Sequence, residues 1–273
     1  MKIKLIASDL DGTFLTDKKE ITPLTKEIIE RAGREGIRFV PATGRAFSAV
    51  PKEVLALPHT EYVITSNGAA IYSISEKRRV YQCLLDGESV RAVLDLEMPS
   101  GIAMEAFLDG VPYSEERYIS HAKDYGATEY GAVYVKNTRR PVKDIRAFIR
   151  EHFEELDSIS FLCADAEKRN ALRECLETQI PGIYVTSSVS HMLEIGNAHA
   201  GKGKTLLYLL KLLDISPEEA MAFGDADNDV DMLQAVKYGI AMKNGTENCK
   251  KAAFAITDSN HEDGVAKGIQ RFL

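Results

Sequence analysis

The sequence is short of cysteine, of net positive charge and of long apolar runs, and each shortage closes off a class of protein. Its four cysteines, Cys83, Cys163, Cys175 and Cys249, lie far apart in 273 residues and form no CxxC or Cys/His spacing. A zinc-finger framework and a dithiol redox motif are thereby excluded, and reduced, mostly buried thiols are expected. His199 and the other histidines show no pairing with Cys or Asp that would suggest zinc. Lys and Arg number 34 against 41 Asp and Glu, a formal charge of -7. That balance argues against broad contact with a nucleic-acid backbone and leaves room only for a local basic pocket. No apolar stretch approaches the ~20 residues that a membrane helix requires. The opening "MKIKLIASDL" carries an apolar run too short for a signal peptide, with acid following at once. No membrane partner and a cytoplasmic location are therefore expected.

What is present is a globular composition, 45% hydrophobic and 27% charged, at a length that suits two domains. Strands and helices alternate from the start. "KIKLIAS" (2–8), "IRFVPA" (37–42) and "YVITS" (62–66) read as strands, with helices at "TPLTKEIIERAGREG" and, broken near Pro51, at "RAFSAVPKEVLAL". That rhythm predicts a parallel sheet covered by helices. "AAIYS" and "RVYQCLL" follow as a hairpin. The rhythm resumes late in the chain, where "AMAFG", "YGIAM" and "FAIT" are short buried strands between helices, and Ser216 to Glu219 matches a capping box. The middle differs: "GIAMEAF", "AVYVK", "SISFLC" and "GIYVTSS" read as β pairs beside two helices. The predicted organisation is a core in two halves, 1–84 and 188–273, interrupted by an α+β insert at 85–187.

The strongest local signal is "ASDLDGTFLTD", where two carboxylates stand at the end of the first strand. Active sites of open α/β sheets collect at the carboxyl ends of strands. Asp9 is placed to act as nucleophile or metal ligand, and Asp11 to serve as acid and base. An EF-hand loop fits positions 1, 3, 5, 9 and 12 but fails at position 6, where Phe14 replaces the required Gly. In "ATGR", the Thr43 hydroxyl and the Gly44 N–H could hold phosphate oxygens at a helix N-terminus; a capping Thr and a turn Gly explain the same letters. "GNAHAGKGKT" (196–205) resembles a nucleotide P-loop, but neither reading frame completes it. From Gly196 the final hydroxyl is missing, and from Ala198 the opening Gly is missing.

Together these segments resemble the haloacid dehalogenase superfamily of aspartate-nucleophile phosphatases. "DLDGT" is similar to its first motif, "ATGR" to its second and "GDADND" (224–229) to its fourth. "SNGA" (66–69) and "EDGVAKGI" (262–269) are typical of its Cof-like branch, and Lys202-Gly203 fits the third motif. The resemblance covers the whole chain and implies an α/β fold, a Rossmann-like parallel-sheet core with an inserted α+β cap domain. It implies that Asp9 attacks phosphorus, that Asp11 handles protons, and that Lys202 neutralises charge between Asp9 and the phosphate while Lys204 does not. Leu10, Thr43, Gly44, Lys202 and Asn228 would bind the phosphate. Mg²⁺ would be held by the Asp9 carboxylate, the Asp11 carbonyl and Asp225, with Asp229 supporting either the metal's waters or the lysine. The implied partner is a small phosphorylated metabolite, a sugar phosphate or phosphorylated cofactor. A phosphomutase and a non-catalytic sensor of a phosphorylated ligand are the alternatives. Arg45 and Asn67 stay open between substrate contact and structure.

Overall fold

The computed structural model describes residues 2–272. The chain divides into two units: Met1–Arg45, Val50–Tyr81 and Gly201–Leu273 form one, and Ala46–Ala49 with Gln82–Ala200 the other. Its strands are β1 (Leu5–Ser8), β2 (Arg38–Pro41), β3 (Tyr62–Thr65), β4 (Ala70–Ser73), β5 (Arg78–Gln82), β6 (Ala103–Leu108), β7 (Val111–Glu115), β8 (Arg140–Val142), β9 (Leu156–Leu162), β10 (Ile183–Thr186), β11 (Met192–Asn197), β12 (Ala220–Gly224), β13 (Tyr238–Met242) and β14 (Ala255–Thr257).

The first unit is built on a sheet in the order β14-β13-β12-β1-β2, parallel throughout. Both faces are covered, so these strands read as unbroken apolar runs, as buried parallel strands do. One face presents Leu5, Ala7, Val40, Ala220 and Ala222 to Leu206, Leu209 and Met232 of two helices, Lys202–Leu212 and Val230–Ala235. The alternate residues Ile6, Phe39, Met221 and Phe223 are equally buried and, by the two-residue period, point to the opposite face. The helix Pro23–Arg34 is capped by the Thr22 hydroxyl, which accepts from Thr25 N–H, and carries Pro at its start as expected. The α/β parallel core read from the sequence is thus present.

Several local expectations differ. The strand expected at "YVITS" meets the parallel sheet through one bridge, Ala42 to Ile64, and otherwise pairs antiparallel with β4. The capping box at Ser216 forms, yet it opens only the single 3-10 turn Pro217–Glu219 before β12 begins. The helix expected from "RAFSAVPKEVLAL" is reduced to a 3-10 turn, Phe47–Ala49, and one α-turn, Lys52–Leu55, with Pro51 between them. The Ser48 N–H donates to the Gly110 carbonyl, which draws Ala46–Ala49 into the second unit.

The second unit is a six-stranded sheet ordered β10-β11-β9-β6-β7-β8. Helices Gly87–Asp95, Ile145–Glu151 and Ala166–Gln179 pack on one face around Met104, Ala106, Ile159, Phe161 and Leu193. The insert boundary expected at 187/188 falls one strand early, because β11 pairs with both β10 and β9 and keeps residues to Ala200 in this unit. "AVYVK" is not a strand. It lies in the helix Glu129–Thr138, started by the Thr128 hydroxyl accepting from Gly131 N–H. Helical packing of Val135 against Leu162 outweighs the β preference of its branched residues.

The other face of this sheet carries a buried polar row beside the apolar cluster around Leu162. Ser114, Glu105, Ser160, Glu194 and Thr186 stand directly opposite one another across five strands, all buried. Glu105 is gripped by both arms of Arg139, Nε to Oε1 at 2.6 Å and Nη2 to Oε2 at 2.8 Å, and the guanidinium lies 4.7 Å above the Tyr134 ring. A buried carboxylate stripped of its cation is costly, so Arg139→Met should destabilise the protein by about 3–5 kcal/mol. The double variant Arg139→Met/Glu105→Leu should recover most of that loss, and guanidinium unfolding of the three proteins measures both.

Candidate active site

Three parallel strands deliver two acidic residues and a threonine to one end of the core sheet. The last residue of β1, Ser8, is in register with Phe223 of β12 and Pro41 of β2. Asp9, Asp225 and Thr43 therefore emerge side by side at the carboxyl ends. Backbone hydrogen bonds hold the exits: Asp9 N–H donates to Phe223 at 2.9 Å and Thr43 N–H to Ile64 at 2.9 Å.

At the centre stands Lys202, fully buried at the first turn of its helix. Its Nζ lies 2.6 Å from Asp9 Oδ1 and 2.6 Å from Asp229 Oδ1. Asp229 is committed further, since its Oδ2 accepts from the N–H groups of Asp225 at 2.9 Å and Ala226 at 3.1 Å. It therefore ties the lysine to the loop that carries Asp225. The Asp225 Oδ1 accepts from Thr13 Oγ1 at 2.6 Å. Gly12, at φ 90°, permits this approach: a Cβ there would stand 2.5 Å from Asp225 Oδ2.

Burial and crowding set the charge states. Burial first, against the pull of Lys202, pushes the Asp9 carboxyl well above its ordinary range, and Asp229, Asp225 and Asp11 add to the rise. Burial and then Asp229 push Asp225 up to about 7. Burial alone would lower Lys202, but Asp229 and Asp9 hold it well above the usual lysine range, so it remains an ammonium. Asp11 goes the other way. Its burial is outweighed by Arg45, whose Nε and Nη2 reach Oδ2 and Oδ1 at 2.6 and 2.7 Å, and by Lys19 at 2.7 Å. Its carboxyl lies far below the ordinary range and is ionised.

The carboxylates of Asp9, Asp225 and Asp229 place oxygens within 4.8 Å of one another. Hard oxygen donors in a site with more carboxylate than cation fit a divalent metal such as Mg²⁺ or Mn²⁺. With both oxygens of Asp229 already bonded, Asp9 and Asp225 are the carboxylates suited to touch it.

The remaining expected residues fall as follows. Thr43 is buried beside this cluster, and its hydroxyl accepts from the Arg45 N–H at 3.1 Å. No α-helix starts at Gly44, so the expected helix N-terminus is replaced by irregular backbone leading to the Phe47–Ala49 turn. The Leu10 side chain is fully buried, which limits it to backbone contact. Asn228 Nδ2 donates to Asn67 Oδ1 at 2.9 Å, so the "SNGA" turn, with Asn67 at φ 52°, reaches the fourth-motif loop. Lys204 is exposed. His199 is exposed, and its N–H donates to Asn197 Oδ1, while Asn197 Nδ2 donates to the Leu84 carbonyl. That asparagine ties together the two chain crossings of the second unit. Thr13 and Lys19 were not legible as site residues. Thr13 sits inside the "DLDGT" signal, whereas Lys19 has no motif and reaches Asp11 from a left-handed turn at φ 64°. Among the described residues no helix is long and apolar enough to cross a membrane.

The chain is similar to known proteins along nearly its full length. Phosphatase YwpJ of Bacillus subtilis is 29% identical, with 99% of this chain and 100% of that protein covered. The 5-amino-6-(5-phospho-D-ribitylamino)uracil phosphatase YwtE of the same organism is 29% identical over 99% of this chain and 98% of its own. A solved structure of a haloacid dehalogenase-like hydrolase from B. subtilis superimposes with a TM-score of 0.85 at 29% identity, covering 99% of this chain and 100% of the other. The family model for haloacid dehalogenase-like hydrolases matches residues 6–269, and with the carboxylates, lysine and parallel sheet in place, the chain belongs to that family.

Proposed function

We propose that this phosphatase hydrolyses small phosphorylated metabolites through an aspartyl-phosphate on Asp9, with Mg²⁺ as its metal. The observation that carries the reading is the Lys202 ammonium held at 2.6 Å from both Asp9 and Asp229 beside Asp225. A phosphate ester repels nucleophiles through its own anionic oxygens, so a competent site must fix cations next to the attacking carboxylate. The full-length likeness to a phosphatase of a phosphorylated ribityl compound supports a small metabolite as substrate.

In the first step an Asp9 oxygen bonds to phosphorus, and the bond from phosphorus to the leaving oxygen breaks. The leaving alkoxide takes a proton from Asp11. In the second step water attacks phosphorus, its proton passes to Asp11 and the bond from phosphorus to Asp9 breaks, regenerating both carboxyl groups. Bound to Arg45 and Lys19, Asp11 is in the ionised form that the second step needs. To protonate a leaving group it must leave those partners for the substrate and take up a proton first, the one it receives from water in the preceding turnover or one from solvent. Lys202 stays charged throughout and offsets charge between Asp9 and the phosphoryl group. Thr43, Gly44 and the Leu10 backbone are assigned to phosphate oxygens; donation by Asn228 requires its amide to leave Asn67. Asp9, the Asp11 carbonyl and Asp225 would hold the divalent cation, which when bound supplies fixed positive charge to the phosphoryl oxygens.

Two outcomes follow for hydrolysis of phosphometabolites in Mg²⁺. Asp9→Asn should lower kcat by at least about a thousandfold, the scale of losing a nucleophile. Lys202→Ala should cost about 10²–10³-fold, as for a lost charge-stabilising donor, with Lys204→Ala within about twofold of the parent. Phosphate release without a bisphosphate activator separates hydrolysis from mutase chemistry. A further expectation concerns the metal. In its absence Asp225 holds a proton below about pH 7, and a cation must displace it. Affinity should therefore fall as pH drops through that value, with proton release on binding near and below neutrality. Calorimetric titration of Mg²⁺ in buffers of different ionisation heat reads both effects.

A further inference from the structure

We infer that Asp231 is a positioning residue for Lys202: reaching from the neighbouring helix, it caps the helix that Lys202 begins and so fixes where the ammonium stands. The inference rests on the role proposed for Lys202. The first amides of any α-helix lack internal acceptors and usually take one from a side chain at the cap. Here the cap residue is Gly201, which has no side chain to offer. The acceptor comes instead from Asp231, in the helix Val230–Ala235, whose Oδ2 receives the Gly203 N–H at 2.9 Å.

The two helices are shaped for this contact. A Cβ at Gly203 would overlap the Asp231 backbone carbonyl, and one at Gly201 would stand 2.5 Å from Asp231 Oδ2. Gly201 and Gly203, two of the three glycines of the broken P-loop pattern, therefore let the helix start close onto Asp231. On the other side Thr205 Oγ1 donates to the Gly68 carbonyl at 2.7 Å. A carboxylate at this end of the helix is also favoured by its dipole. Lys202 is the first helical residue, so its Cα moves with the capped turn, and a displacement there carries Nζ away from Asp9 and Asp229. Asp231 acts through that backbone and takes no part in the chemistry.

The test uses the full chain, p-nitrophenyl phosphate and Mg²⁺, with thermal midpoints recorded for each variant. Asp231→Ala should lower kcat about tenfold or more with KM within about twofold, the expected mark of a misplaced catalytic group. Asp231→Asn keeps an oxygen that can accept the Gly203 N–H, and should restore kcat to within about threefold of the parent while Ala does not. Should the alanine variant fail to fold, Asp231→Ser, polar but too short to reach the Gly203 amide, takes its place. Parent-like kcat in the Ala or Ser variant overturns the inference, as does an Asn variant no better than they are. Lys202→Ala, assayed alongside, separates the two levels. Undiminished turnover there sinks the proposed role of Lys202. Loss there with Asp231→Ala unaffected sinks only the positioning role.

Discussion

Burying an ammonium costs several kcal/mol unless charges of opposite sign meet it directly, and the core of this protein is organised around meeting that demand at Lys202. Asp9 and Asp229 do so from segments 193 and 27 residues distant in sequence. For the three to coincide, β1 must end at Asp9, the loop after β12 must fold back so that Asp229 receives its own backbone amides, and the helix must begin at Lys202. Parallel pairing of β1 with β12 makes the first two conditions one. The close approach of the loop shows at Gly224, where any side chain would overlap Asp229. Stability and chemistry share these contacts, because the group that neutralises the buried lysine is also the carboxylate assigned to attack phosphorus.

The helix start that delivers Lys202 explains a segment that looked like a damaged nucleotide loop. A P-loop uses its glycines to turn backbone amides toward phosphate. In "GNAHAGKGKT" Gly201 and Gly203 instead remove bulk where the helix meets Asp231, and the amide of Gly203 is already used by that carboxylate. Gly196 has a separate cause: it lies in β11 under the Tyr184 ring, where a Cβ would collide. One run of letters thus serves two units of the structure, and its resemblance to a single motif is accidental.

Much of the core was legible because its signals are local. Asp9, Asp225 and Lys202 each follow a short apolar strand or open a helix, and parallel order follows from the alternation of elements. What escaped were features set by distant partners. β11 could not be assigned to the insert because "MLEIGN" says nothing about β9 or β10. The "AVYVK" segment carries β-branched residues whose preference is overruled by packing of Val135 on Leu162. The helix expected after "ATGR" is split around Pro51 into two single turns, and that residue warns of a break without saying how short the pieces are. Lys19 reaches Asp11 only because a turn takes a left-handed residue, and no spacing rule encodes that.

The two units each bury charge, and the difference between them separates structure from function. In the second unit Arg139 answers both oxygens of Glu105 and spends its third nitrogen on Thr138 Oγ1 at 2.9 Å. Between these two residues the charges cancel, leaving a pair that fixes packing. In the first unit Asp9, Asp11, Asp225 and Asp229 face Lys202, Arg45 and Lys19, four carboxylates against three cations. Arg45 and Lys19 are both turned to Asp11, so the shortage falls on the other three acids around Lys202. That shortage adds to burial, the larger cause, in driving Asp9 and Asp225 upward, whereas at Asp11 the two cations outweigh burial and drive it down. A fold has no need of such an imbalance. It becomes favourable when a further cation arrives, and the excess negative charge lies at the strand ends where a divalent ion and a phosphoryl group would meet.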